Sequence, residues 1–359
     1  MSLFNQRGAG IAARYSSIAV AATLFASAAY TQAPENAVEG SSPPEKIAAD
    51  VFMLPVLKHI DVFYPLNELQ QNGEGWVVVA MMVDQNGKPY EVAVDSSSGS
   101  KVFEEAAVKA VENATYAPAL ENGVPVESTT KLKIHYDEQK PYPAAKHEFA
   151  VAYSDLVKAV KTKDRVAADA AMKRMIARNL YEDAYAGLAA YQYARVWGNE
   201  AQQRDGLKRA IAGEAHAQYL SKEDFASAEI QCLVLDVRLH DYADAIKLWG
   251  MIQNNGIDPA TFSKLQPMMQ AVDAIRTSSA SYDVAGQLPH GTWQMGLLKQ
   301  RFRISVDKGQ ISDIKLRCKA GFLRFAYRAD FEYNISGKYS GCYIQLDGDP
   351  GTSITLTQL

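Results

Sequence analysis

Trp76-Val77-Val78-Val79-Ala80-Met81-Met82-Val83, then Asp84-Gln85-Asn86-Gly87, then Tyr90 to Asp95 (YEVAVD): this stretch decides the fold. Its first eight residues are branched or apolar throughout, which marks a buried strand. Asn86-Gly87 suits positive φ and a hairpin turn, so Tyr90 to Asp95 returns as the second strand. Further on, Ser100 has the chemistry of a helix N-cap. Glu104 and Glu105 follow in the first turn, where the helix dipole favours them. Phe103, Ala106, Ala107, Ala110 and Val111 recur at helical spacing, and the small alanines would let that helix lie close on a sheet. Thr129 to Tyr136 alternates again. Leu132, Ile134 and Tyr136 are expected to face the core, with Lys131, Lys133 and His135 facing water. The order is strand, strand, helix, strand, with the helix covering one face of the sheet.

Residues 64–126 carry a longer pattern around this core: Tyr64-Pro65, Gly73-Glu74-Gly75, Val77, Val79, Val83, Gly87, Val92, Val94 and Ser97-Ser98-Gly99. It continues through Phe103, Ala106-Ala107, Tyr116-Ala117-Pro118-Ala119 and Asn122-Gly123-Val124-Pro125. In register, this series resembles the C-terminal domain of the TonB family of energy transducers. Two positions depart from the family pattern. Glu68 stands where an alanine is usual, and Asn72 stands where a glycine commonly caps the short first helix. The resemblance implies a module that binds proteins by β-augmentation, in which a short periplasmic segment of an outer-membrane receptor adds a strand to the sheet. It points to Thr129, Thr130, Lys131, Leu132, Lys133, Ile134, His135 and Tyr136 as the accepting strand. The outward lysines and histidine could meet an acidic segment, or could serve only to block edge-to-edge aggregation.

Toward the N-terminus, Arg7 and Arg14 precede an apolar run, Ile18 to Ala26, and Ala26-Ser27-Ala28 offers a cleavage site; Thr31-Gln32-Ala33 is a second candidate. This is the layout of a secretory signal over residues 1–33. The uncharged stretch from Tyr15 to Pro34 is also long enough for an anchor helix, so both readings stand. Residues 34–58, with Pro43-Pro44, are expected to be a linker reaching the TonB-type domain at 59–138. Residues 139–285 are Ala-rich with helical texture. About seven helices are expected, with breakers at Asn179, Gly198, Gly213, Gly256 and Pro259. Asp241-Tyr242-Ala243-Asp244-Ala245-Ile246 resembles the second-helix entry of a tetratricopeptide repeat, but no regular period surrounds it. Residues 286–359 alternate in short runs separated by Gly-containing turns, as a small all-β domain would. The expected fold class is therefore α+β: a TonB-type ββαβ domain, an irregular α-helical hairpin stack, and a small β domain. Cys318 and Cys342 lie in the strand-rich part, and export favours their pairing. The closed loop of about 25 residues would be worth roughly 3–4 kcal/mol in the chain-entropy model. Cys232 sits in helical sequence and is expected to be a free, buried thiol.

The chain has 359 residues, 48% of them hydrophobic, and a formal net charge of −4. That balance gives no basic stripe for a nucleic-acid partner. His59, His135, His147, His216, His240 and His290 are scattered, with no H-E-x-x-H or other metal spacing. No G-x-S-x-G elbow and no phosphate-binding glycine loop is present. Glu104-Glu105 reads as helix-capping acids, and Asp347 and Asp349 as turn residues. No catalytic residue, cofactor or metal is expected. Two functional readings follow. In the first, the chain is a periplasmic TonB-family protein linked to TonB-dependent receptors. It would engage an inner-membrane motor complex only if the N-terminal segment is retained. In the second, it is a periplasmic scaffold that uses its helical stack and is uncoupled from energy transduction. Cleavage of the N-terminal segment favours the second, because a free protein cannot transmit force from the inner membrane.

Overall fold

A computed structural model describes residues 52–71, 73–137, 144–212 and 219–359. The targeting segment expected at 1–33, most of the linker, and Asn72 lie outside the described residues. The first part of the chain runs β1 (Phe52–Met53), β2 (Val56–His59), α1 (Leu66–Gln70), β3 (Gly75–Val83), β4 (Pro89–Ser97), α2 (Lys101–Glu112), β5 (Thr115–Ala117), β6 (Ala119–Glu121), β7 (Val124–Val126) and β8 (Ser128–Tyr136). The main sheet has the order β4-β3-β8, all antiparallel. Helix α2 is capped by Ser100, whose Oγ accepts from the Phe103 N–H, and its buried face is Phe103, Ala107, Ala110 and Val111. It packs on Val77, Val79, Met81, Val83, Ile134 and Tyr136. Phe103 and Tyr136 stack at 4.4 Å, with Tyr64 edge-on to both.

Residues 52–59 correct the linker boundary. By sequence, residues 52–58 are expected to belong to the linker, yet β1 pairs with β6 and β2 pairs with β5. Their backbone pairing, with Leu57 packed against the core, makes them part of the domain. The Asp84 to Lys88 turn also reaches this region. The Gly87 carbonyl accepts from the Tyr116 N–H at 2.9 Å. Gly87 has φ +83°, and any Cβ there would run into the Tyr116 carbonyl, so this turn requires glycine.

The helical part comprises α3 (His147–Thr162), α4 (Arg165–Arg174), α5 (Leu180–Trp197), α6 (Glu200–Ala212), α7 (Lys222–Arg238), α8 (Tyr242–Asn255) and α9 (Pro259–Thr277). Consecutive helices pack against one another, α5 and α6 most extensively. Gly187 and Gly206 face each other there, and a Cβ at either would strike the backbone of the other helix. Gly213 lies outside the described residues, and the breakers at the starts of α5 and α9 act as local chemistry requires. Asn179 caps α5 through its Oδ1, and Asp258 caps α9 just before Pro259.

The C-terminal part is a β sandwich of β9 (Tyr282–Leu288), β10 (Thr292–Gly296), β11 (Arg301–Lys308), β12 (Ile311–Cys318), β13 (Gly321–Phe325), β14 (Glu332–Asn334), β15 (Tyr343–Gly348) and β16 (Thr352–Gln358). One sheet has the order β10-β15-β12-β13 and the other β14-β11-β16-β9. Their inner faces share a core that includes Phe302, Ile304, Ile314, Leu316, Ile344, Leu346 and Leu356. The Cys318–Cys342 disulfide is formed and Cys232 is free and buried. The boundary expected at 286 falls inside β9, which pairs with β16 from Tyr282 onward. Gly286 interrupts its alternation, and the Trp293 side chain packs where a side chain at 286 would stand.

Candidate functional site

The strand singled out by sequence, β8, lies at the margin of its sheet. It pairs with β3 in one unbroken register, from Val83↔Ser128 to Gly75↔Tyr136. Among the described residues no strand pairs with its other side. The opposite margin, β4, differs. Its register against β3 breaks twice, and Glu91 within it has φ +48°. Bulges of this kind twist an edge and blunt it against further pairing.

Backbone direction along β8 follows from β3. The Ser98 N–H donates to the Trp76 carbonyl at 3.0 Å, and the Trp76 N–H donates to Ser98 Oγ at 3.2 Å. Trp76 therefore turns both backbone groups toward β4. Because these groups alternate along a strand, Val77, Val79, Met81 and Val83 turn theirs toward β8. Their partners Ser128, Thr130, Leu132 and Ile134 use their backbone groups on β3. Thr129, Lys131, Lys133 and His135 aim theirs away from the sheet.

The side chains of β8 correct the sequence reading. Ile134 and Tyr136 are buried and Leu132 half-buried on the α2 face, as alternation requires. Lys131, Lys133 and His135 do point the other way, but that face is only partly open to water. It is largely covered by the helices and by the outer face of the β10-β15-β12-β13 sheet. Lys131 pairs with Asp95 at 2.7 Å and lies over the Tyr343 ring. Lys133 lies over the Trp76 ring at 5.1 Å. Burial pushes the Lys133 ammonium down to about 8, against the opposing pull of the Asp183 carboxylate. The acidic groups that these lysines approach thus belong to this chain.

Asp183, on α5, holds the sheet to the helices. Its Oδ2 accepts from Trp76 Nε1 at 2.9 Å and its Oδ1 from Arg209 Nε at 2.8 Å. Burial raises its pKa, opposed by Arg209. Nearby, Glu182 accepts from the N–H groups of Lys146 and Arg178, and Glu74 accepts from the Leu180 N–H. The β sandwich docks through a second charged group. Lys315 meets Glu91 at 3.2 Å and Asp347 at 3.3 Å, and Arg317 donates to the Glu91 carbonyl and to Gln345. Phe322 packs edge-on to Tyr90, and its N–H donates to Glu127 just before β8. A third group of charges lies where the three parts meet. Lys208 contacts Asp244 at 2.6 Å, Asp236 at 3.2 Å and Asp241 at 3.6 Å, with Arg204 also on Asp241.

None of this docking was expected from sequence. A tryptophan inside an apolar strand reads as core, and only the helices reveal that its N–H faces a carboxylate. The other polar pairs noted in the sequence have local partners: Glu104 accepts from Ser97 and Lys101, and Asp347 is paired with Lys315 and Gln345. Among the described residues there is no cluster of His, Cys, Asp and Glu that could hold a metal ion, and no helix long and apolar enough to cross a membrane.

The family model described as the C-terminal of the Gram-negative bacterial TonB protein matches residues 61–137. No curated protein matches the chain. The match covers the sheet, α2 and the strand β8 described above. The segment 61–137 is therefore a TonB-type C-terminal domain, carried in a longer chain whose helices and β sandwich close over the outer face of its sheet.

Proposed function

We propose that this is an exported, non-catalytic, envelope-associated protein that takes an extended segment of a partner protein onto β8, and that the partners are TonB-dependent outer-membrane receptors. The observation that carries this reading is the contrast between the two margins of the sheet. β4 is bulged, whereas β8 offers nine residues in register, with the backbone groups of Thr129, Lys131 and Lys133 aimed outward. Strand addition draws its affinity from such main-chain groups. Since Lys131 and Lys133 already approach Asp95 and Asp183, charge on β8 contributes little to partner choice. The scaffold reading keeps one support: the TonB-type domain is packed into the rest of the chain by side-chain contacts, as a docking module in a fixed assembly would be.

The test compares proline with alanine at positions 131 and 133. Both substitutions remove the same side-chain contacts, but only proline removes the outward N–H. The ligands are synthetic peptides spanning the N-terminal periplasmic segments of TonB-dependent receptors, and binding is followed by calorimetry. Lys131→Ala and Lys133→Ala should bind within about 1 kcal/mol of the parent, the scale of an ion pair near a surface. Lys131→Pro and Lys133→Pro should lose binding while melting with their alanine counterparts. Equal binding by the proline and alanine variants would remove β8 as the accepting edge.

A further inference from the structure

We propose that the outer face of the α3–α4 hairpin is a docking surface for an anionic lipid bilayer. This goes beyond strand addition and does not depend on it. The hairpin ends the helical stack. Its inner face, with Phe149, Leu156, Ala168 and Ala171, packs on α5. Its outer face is basic, in a chain whose net charge is −4: residues 146–178 hold eight Lys and Arg against four Asp and Glu.

Three of those four acids are already engaged. Asp155 is paired with Arg174 at 2.8 Å, and Asp164 caps α4 through the Ala167 N–H at 3.0 Å. Asp169 accepts from the Tyr193 hydroxyl and lies near Arg165. Lys161, Lys163 and Lys173 are exposed and meet no carboxylate among the described residues. With eight cations against four anions the field that reaches solvent is positive; Lys161 and Lys163 lie where α3 ends and α4 begins, and Lys173 lies in the last turn of α4.

A second property selects a bilayer over a soluble polyanion. Val166, in the first turn of α4 between Lys163 and Lys173, is 82% exposed, the most exposed of the large hydrophobic residues among the described residues. Val157 and Val151 add apolar surface along α3. Lysine stems can lie along apolar surface while their ammonium groups stay at the level of the lipid headgroups. An apolar tip with lysines on either side of it along the chain therefore suits the boundary between headgroups and acyl chains. An acidic peptide would satisfy the lysines and leave Val166 in water.

The full chain, in the form that accumulates in cells, would be co-sedimented with vesicles of equal parts phosphatidylglycerol and phosphatidylcholine, and with phosphatidylcholine alone. Any retained N-terminal apolar segment is common to all variants and cancels in the comparison. The wild type should favour the anionic vesicles and lose that preference as salt is raised. Lys161→Gln, Lys163→Gln and Lys173→Gln together should weaken anionic binding roughly a hundredfold, about fivefold per lysine. The same number of exposed lysines neutralised elsewhere, Lys222→Gln, Lys264→Gln and Lys308→Gln, should change it little. Val166→Ser should weaken it several-fold. The proposal fails if the wild type ignores phosphatidylglycerol, if the two triple variants bind alike, or if poly-glutamate binds the wild type as tightly as the vesicles do.

Discussion

Asp236 illustrates how a single residue acquires its chemistry from its neighbours. It is 1% exposed on α7, beside Cys232 of its own helix, Lys208 and Arg204 of α6, and Asp241 and Asp244 at the start of α8. Three carboxylates share two cations, and burial pushes the Asp236 carboxyl up from 3.8 to about 7. A raised carboxylate means the folded state keeps a proton that the unfolded chain gives up. Stability contributed by that proton is present at low pH and falls as pH climbs from about 4 through about 7. Asp236→Asn keeps the shape and removes the titration. The difference in melting temperature between variant and parent should therefore grow in favour of the variant from about pH 5 to about pH 8. A constant difference across that range would show that Asp236 is ionised throughout. The same burial, with Asp236 next in effect, raises the Cys232 thiol, which makes it unreactive in the folded chain.

At the scale of elements, the β sandwich depends on its staple. Its two four-stranded sheets enclose one small core, and Cys318 at the end of β12 is tied to Cys342 just before β15. Replacing both cysteines by serine should lower the stability of this part by roughly 3–4 kcal/mol in the chain-entropy model. Non-reducing peptide mapping should recover the 318–342 link with Cys232 unmodified. Denaturant melts of the serine variant should show the loss, and an unchanged midpoint would remove the staple's role. The contrast between β4 and β8 belongs to the same scale. Both strands are nine residues long and both are margins, and only the regularity of pairing distinguishes them.

For the whole molecule, the main consequence is that the outer face of the TonB-type sheet is largely covered by the rest of the chain. Trp76, Ala80 and Met82 on that face are almost fully buried, and Lys133 is held down to about 8 by the burial that docking imposes. A lysine with a depressed folded pKa gives a fold that gains stability as pH rises from about 8 toward the ordinary lysine range. Trp76→Phe keeps most of the ring and deletes the N–H that Asp183 accepts. It should cost about 1.5–3 kcal/mol, as loss of a hydrogen bond to a charged group does. Loosening this contact should also return Lys133 toward ordinary lysine values, which NMR titration of its side-chain nitrogen would reveal. A Lys133 titration unmoved by Trp76→Phe would mean that something other than this contact buries it.

Much of this protein follows from local rules that the sequence obeys by itself. Continuous apolar residues from Trp76 to Val83, Asn86-Gly87, the Ser100 cap and the alternation of Leu132, Ile134 and Tyr136 determine the ββαβ unit. Each acts over a few residues, through backbone preference or one face of an element. The helices between residues 147 and 277 are legible for the same reason, and the 318–342 pairing because export places two cysteines of one strand-rich part in an oxidising compartment. The strands at 52–59 and at 282–288 were not, because short strands are specified by their partners and Gly286 breaks the pattern. The fate of the outer sheet face was decided by tertiary structure alone. Alternation shows that Lys131, Lys133 and His135 point away from α2, but it cannot show what lies there. That Trp76 faces Asp183, that Lys131 lies over Tyr343, and that Glu91 meets Lys315 depends on residues far apart in the chain coming together. Whether a polar side chain faces water or another carboxylate is settled only when the surrounding layers close over it.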